Sequence, residues 1–212
     1  ALRPQCFGNR AAAEHAPPHP AADPGKAQPA VEACLFSDCS KGSWMAFSFQ
    51  CRTCGERHEG LPSFGPDAPL SYAILCEEDQ NTRAELGADD CVIDGAYFLI
   101  RGRLEIPIRD QSEPFVWLVW CSLSRDSYEQ WREAFDLEQR SHIGPFFGWL
   151  NVRLPFYEDT VNLATSVHLA DNGLRPLVEV HEATNKLYLD QMNGISAAEA
   201  EAMVHDLLHP RN

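Results

Sequence analysis

Positive charge is what this sequence has least of. Across 212 residues, seventeen lysines and arginines face thirty-one aspartates and glutamates, a net charge of -14. Residues 1–44 hold four basic residues (Arg3, Arg10, Lys26, Lys41) and four acidic ones (Glu14, Asp23, Glu32, Asp38), so the whole excess belongs to residues 45–212. A domain this acidic repels phosphate backbones and anionic headgroups, which argues against nucleic-acid binding and against attachment to a membrane surface. The same charge also serves solubility.

Long apolar runs are missing as well. No stretch reaches the roughly 20 residues needed to span a bilayer, and the first residues lack the continuous apolar core of a signal peptide. The expected compartment is the cytoplasm, where thiols stay reduced. Eight cysteines are therefore read first as small buried residues or metal ligands. Also absent are a glycine-rich phosphate loop, a G-x-S-x-G elbow and an H-E-x-x-H helix, which leaves three common routes to catalysis without support.

The chain changes character near residue 45. Before it, "AAAEHAPPHPAADPGKAQPA" has almost no large apolar side chains and cannot offset the entropy of ordering, so residues 1–44 are expected to form a disordered Ala/Pro-rich leader. From Met45, "MAFSFQC" begins an alternating pattern, and residues 45–212 are expected to form one globular domain that starts there. Residues 97–108 alternate as a half-buried strand, and 113–123 are apolar on both faces, as in a central strand; the short connector predicts a hairpin. Ser124 is placed to cap a helix with Tyr128, Trp131 and Phe135 on one face. Two further strands fall at 160–170 and 174–182 around the turn "DNG", and a last helix opens with the capping box Ser196–Glu199. Together these predict an α+β fold, a mainly antiparallel sheet with two or more helices packed on it.

The most specific chemistry lies in "FQCRTCGERHEGLP", residues 49–62. Cys51 and Cys54 have the spacing that puts two thiolates on one turn, and the following Gly55 accepts the positive φ of a zinc knuckle. A second C-x-x-C is lacking, so any remaining ligands must be single residues, with His58 and Cys91 the candidates. Two other readings stand beside it: isolated buried thiols, and a redox pair, which the following "GERHEG" does not favour because no helix begins there. His205 and His209, four apart on the last helix, are better read as complementing its dipole than as metal ligands. Further on, "FGWLNVRLPFYEDTVNL" gathers Trp149, Tyr157, Asp159, Thr160 and Asn162, a candidate recognition surface because aromatic and hydrogen-bonding residues on loops favour binding. The competing reading is that the aromatics cover the sheet and the polar residues cap a turn.

These stretches carry a resemblance. Residues 45 to about 209 resemble DUF2199, a bacterial family without an assigned activity, in the segment Cys51, Cys54, Gly55, Glu56, His58, Glu59, Leu61, Pro62. The match continues in "DAP", "DDCVIDG", "FLIRGRLEIPI", "PFVWLVWCSLS", "FGWL", "YEDTVNL", "GLRPL" and "QMNGI". It implies a single small domain beginning at Met45 and brings Cys91 into the pattern. Residues 184–189, "TNKLYL", depart from the family's run, so no histidine role carries over there.

The resulting expectation is a cytoplasmic binding module for a protein or small molecule, with a structural zinc knuckle. Two alternatives are an enzyme with an open Cys-ligated metal, using His58 or Glu56 as proton carrier, and a thiol redox protein. A third, a binder of basic proteins, rests on charge alone.

Overall fold

A computed structural model describes residues 48–50 and 55–209 of the chain. The leader, Met45, Cys51 and Cys54 lie outside the described residues.

The first described element is a small hairpin, β1 (Ser48–Gln50) against β2 (Arg57–Glu59), antiparallel with Gln50 opposite Arg57. Two short helices follow, α1 (Leu70–Ala73) and α2 (Glu77–Arg83), then β3 (Ala84–Leu86) and β4 (Asp90–Ile93). The long strands β5 (Tyr97–Ile106) and β6 (Phe115–Leu123) form the expected antiparallel hairpin, paired from Phe98–Leu123 to Ile106–Phe115. After α3 (Arg125–Glu133), the strands β7 (Phe146–Leu150), β8 (Ala164–His168) and β9 (Leu177–Val180) continue the meander. Helices α4 (Lys186–Asn193) and α5 (Ala197–Leu208) complete the described chain.

The expected α+β fold, a mainly antiparallel sheet with two or more helices packed on it, is not what forms. Strand β9 returns to pair in parallel with β5, at Arg103 opposite Leu177, and closes β5 through β9 into a five-stranded mixed barrel, with β3 and β4 as two additional strands. The five helices among the described residues are short, and they do not make a layer over a flat face. An odd number of strands in an antiparallel meander leaves the first and last running the same way, so closure has to be parallel.

Strand β5 manages this by sharing one edge. Its first half, Tyr97–Ile100, pairs with β4, and its second half meets β9. The handover falls at Gly102. Arg101 N–H donates to the Asp89 carbonyl at 2.8 Å, and Arg103 N–H donates to the Pro176 carbonyl at 2.8 Å. A side chain at 102 would block the crossing strand: a β-carbon there would lie 2.6 Å from Val178 Cγ2 and 3.0 Å from the Pro176 oxygen.

Alternation then sorts the side chains. Leu104, Ile106, Phe115, Trp117, Val119, Cys121, Leu150, Val167 and Val178 belong to one fully buried core. On the other face of β5 and β6, Leu99 and Trp120 join Cys91 and Ile93 in a second cluster, against which Tyr72 and Leu75 of the α1 region pack. That second cluster is why β6 reads as apolar on both faces. Helix α3 buries Tyr128 and Trp131, capped by Ser124, whose Oγ accepts from the Ser127 N–H at 3.2 Å. Phe135 lies beyond the helix's end and packs edge-on against Trp131, ring centroids 5.2 Å apart, while remaining 43% exposed. The Ser196–Glu199 capping box forms as expected.

Candidate functional site

The chemistry-bearing residues fall into three regions. In the first, the N-terminal hairpin, the Gln50–Arg57 register leaves residues 51–56 between the paired positions, and those residues contain both cysteines of the C-x-x-C. Gly55 has φ +74°, the left-handed conformation that glycine supplies most easily. His58 sits on β2 opposite Phe49, one step back from the loop.

Cys91 is apart from any polar cluster. It lies on β4 opposite Leu99, fully buried with Ile93, Leu99 and Trp120. Burial, helped by the neighbouring Asp90 charge, pushes its thiol up to about 11. Cys121, inside the barrel, is pushed up to about 12 by burial, partly offset by the Thr165 hydroxyl 3.9 Å away. Both are neutral thiols at physiological pH, which suits packing and does not suit nucleophilic attack. Among the described residues, no three His, Cys, Asp or Glu side chains converge as a metal site would need.

The third region is the stretch around residues 147–163, and here the five candidate residues separate. Thr160 is buried: its hydroxyl donates to the Val152 carbonyl at 2.8 Å and accepts from the Leu154 N–H at 3.1 Å, closing the loop on itself. Asp159 and Asn162 take left-handed backbone, φ +50° and +63°, as short polar residues do in turns. Tyr157 is buried, with its hydroxyl donating to Asp190 Oδ2 at 3.0 Å. Lys186 pairs with the same carboxylate oxygen and lies 5.0 Å over the Tyr157 ring. Burial first, then the Asp190 charge and hydrogen bond, push the phenol above its usual range, so Tyr157 is a donor and not a base. The network pins the loop to α4, and the sequence offered no spacing that pairs 157 with 186 and 190.

Asp159 and Asn162 are exposed in those turns, and on β7 the half-buried Trp149 faces outward. It stands in an edge-to-face pair with Phe147, ring centroids 5.1 Å apart, on the side of β7 opposite the buried Phe146, Gly148 and Leu150. Gly148 is needed beneath them, since a β-carbon there would lie 2.5 Å from the Ser122 carbonyl oxygen. Phe147 is 49% exposed. Beside the pair on the same outer face, Ser166 is opposite Phe147 and bonds the His181 ring at 2.9 Å; on that strand His168 meets Glu179 at 3.1 Å. An outward aromatic pair with polar neighbours is a surface for contact, since Trp and aromatic side chains are enriched where proteins bind.

Comparison with known proteins gives one match. The model of the family DUF2199, described as an uncharacterized protein conserved in bacteria, covers residues 50–195. No curated protein and no solved structure matches the chain.

Proposed function

We propose, from the premise that this chain belongs to the DUF2199 family, that it is a binding module whose N-terminal hairpin is a zinc knuckle. The observation that carries the knuckle is the hairpin itself: paired strands that leave both cysteines between their ends, and a left-handed glycine directly after the second cysteine. Thiolate ligands of a zinc ion need that tight turn, and the metal's binding energy becomes folding energy for a hairpin too short to be stable alone. His58 and Cys91 are the candidate sources of further ligands. For Cys91, binding would have to remove a proton that burial now holds.

Binding in place of catalysis is supported by the character of Cys91 and Cys121, both neutral and enclosed, and by the outward Phe147–Trp149 pair. The partner is a protein or a small molecule; the acid excess speaks against nucleic acid and anionic membranes. No helix among the described residues is long and apolar enough to cross a membrane, and a cytoplasmic setting fits a chain that uses cysteine as free thiol or ligand.

The test is elemental mass spectrometry on the full chain beside Cys51→Ser and Cys91→Ser. About one zinc per chain is expected, lost in Cys51→Ser together with a fall in melting temperature. Loss in Cys91→Ser as well assigns that thiol as a ligand. Metal-free wild-type protein whose melting temperature is unchanged by Cys51→Ser overturns the knuckle.

A further inference from the structure

Two surface loops are tied together far more firmly than their exposure would suggest. One follows α3 (residues 134–141), and the other joins β8 to β9 (residues 170–175). Between them lies Arg140, only 3% exposed, whose guanidinium forms no ion pair among the described residues. Its guanidinium donates to four backbone carbonyls: Ala170 at 2.8 Å, Phe135 at 2.7 Å, Leu174 at 2.9 Å and, at 3.4 Å, Ala134. Asp171 answers from the other loop, accepting the N–H groups of Arg140 and Ser141 and the Ser141 hydroxyl. The Asn172 N–H donates to the Glu138 carbonyl at 2.8 Å.

What this clamp holds outward is apolar. Phe135 and Leu174, whose carbonyls share one guanidinium, are 43% and 52% exposed, and Leu137 beside them is 48% exposed. Next to Phe135 and Leu137 in the chain are Glu133, Asp136 and Glu138, all exposed. These three carboxylates crowd the end of α3, where the helix's negative pole favours cations. Arg132, the basic residue of that last turn, is turned toward the Tyr128 ring, 5.9 Å away. The two loops' own cations are engaged, Arg140 by backbone carbonyls and Arg175 by Asp89 at 2.6 Å, so the exposed carboxylates beside the patch are left in excess.

We propose that the Phe135–Leu137–Leu174 patch is the docking surface for a cationic amphipathic segment of a partner protein. Leucine-like side chains of that segment would cover the patch, and its lysines or arginines would meet Glu133, Asp136 and Glu138. Charge complementarity decides the occupant: an acidic or purely apolar segment would leave three carboxylates crowded at a helix C-terminus. Pre-ordering by Arg140 reduces the entropy lost on docking. The inference rests on the binding part of the function proposed above and replaces its unnamed partner with a class.

The experiment titrates the full chain into a fluorescein-labelled helical peptide made only of leucine and lysine, followed by anisotropy, with a leucine–glutamate peptide of the same pattern as counterpart. The lysine peptide is expected to bind, more weakly at about 300 mM than at about 50 mM salt, and the glutamate peptide not to bind. Leu174→Ser, Leu137→Ser and the triple variant Glu133→Gln/Asp136→Asn/Glu138→Gln should each weaken binding about tenfold. The control Glu77→Gln/Glu78→Gln/Glu85→Gln removes equal charge elsewhere and should leave affinity unchanged. Equal weakening by both triple variants, or no binding of the lysine peptide, overturns the proposal. Loss of binding in Phe147→Ser with none in Leu174→Ser also overturns it, yet leaves the binding-module reading standing on the other face. The zinc content answers separately for the knuckle.

Discussion

Gly102 and Val178 touch where the barrel closes: a β-carbon on Gly102 would stand 2.6 Å from Val178 Cγ2. The close approach lets β5 exchange β4 for β9 as its edge partner within three residues. Gly102→Val puts a branched side chain into that space, and the obstruction includes the Pro176 carbonyl at 3.0 Å, which is backbone and moves little. The expected loss is at least the roughly 1–3 kcal/mol of an overpacked core site. Urea unfolding of the variant beside the wild type reads it as a lower midpoint. An unchanged midpoint would mean that closure does not depend on this contact.

Replacing Arg140 by lysine tests the loop clamp. The guanidinium satisfies carbonyls from both loops at once through its planar fork, and a single ammonium cannot span the same set. Carbonyls left buried without donors cost about 1–3 kcal/mol each, so a total near 2–4 kcal/mol is expected for Arg140→Lys. Hydrogen exchange should show faster exchange in both loops, at residues 134–141 and at 170–175. Protection kept in both loops would contradict the assigned role.

Much of the local structure is legible in the sequence. The β5–β6 hairpin, the Ser124 cap and the Ser196–Glu199 box follow from local rules, because periodicity and capping act within a few residues. Barrel closure was not readable. A strand that alternates apolar and polar residues looks the same in a flat sheet and in a barrel, and the deciding contact joins Arg103 to Leu177, far apart in the sequence. The recognition stretch shows the same limit. Tyr157 and Thr160 carry polar groups that look available in sequence, yet both are consumed by Asp190 and by the loop's own backbone. Trp149 and Phe147 face out because β7 alternates about Gly148, and that parity is set by the core partner strands.

Asp171 makes the fold sensitive to acid. Hydrogen bonds from the Ser141 N–H, the Arg140 N–H and the Ser141 hydroxyl hold its carboxyl below the usual range. A carboxylate whose pKa is lower folded than unfolded contributes stability above its unfolded value, near 4, and that contribution is lost as pH falls through the folded value. Thermal unfolding followed from pH 7 to about pH 3 should therefore show a steeper acid decline in wild type than in Asp171→Asn. Parallel curves would show that the carboxylate's charge is not what the loops use.

At the alkaline end the sign reverses. Tyr157 is pushed above its usual range by burial and Asp190, and Tyr128 by burial and by Asp90, whose Oδ2 accepts its hydroxyl at 2.6 Å. A phenol with a raised folded pKa binds its proton more tightly in the native state. Its stabilisation is complete below the unfolded value, near 10, and fades as pH rises through the folded value, because only the unfolded chain releases the proton easily. Both phenols should thus stay protonated while the fold lasts and ionise as it opens. Tyrosinate absorbance near 295 nm, followed with circular dichroism, measures this directly. In Tyr157→Phe and in Tyr128→Phe, amplitude should vanish from the step that coincides with unfolding and not from any earlier one. Amplitude missing from a step that precedes unfolding would show the hydroxyl to be open to solvent, and the bonds to Asp190 or Asp90 too weak to tie their elements to the barrel.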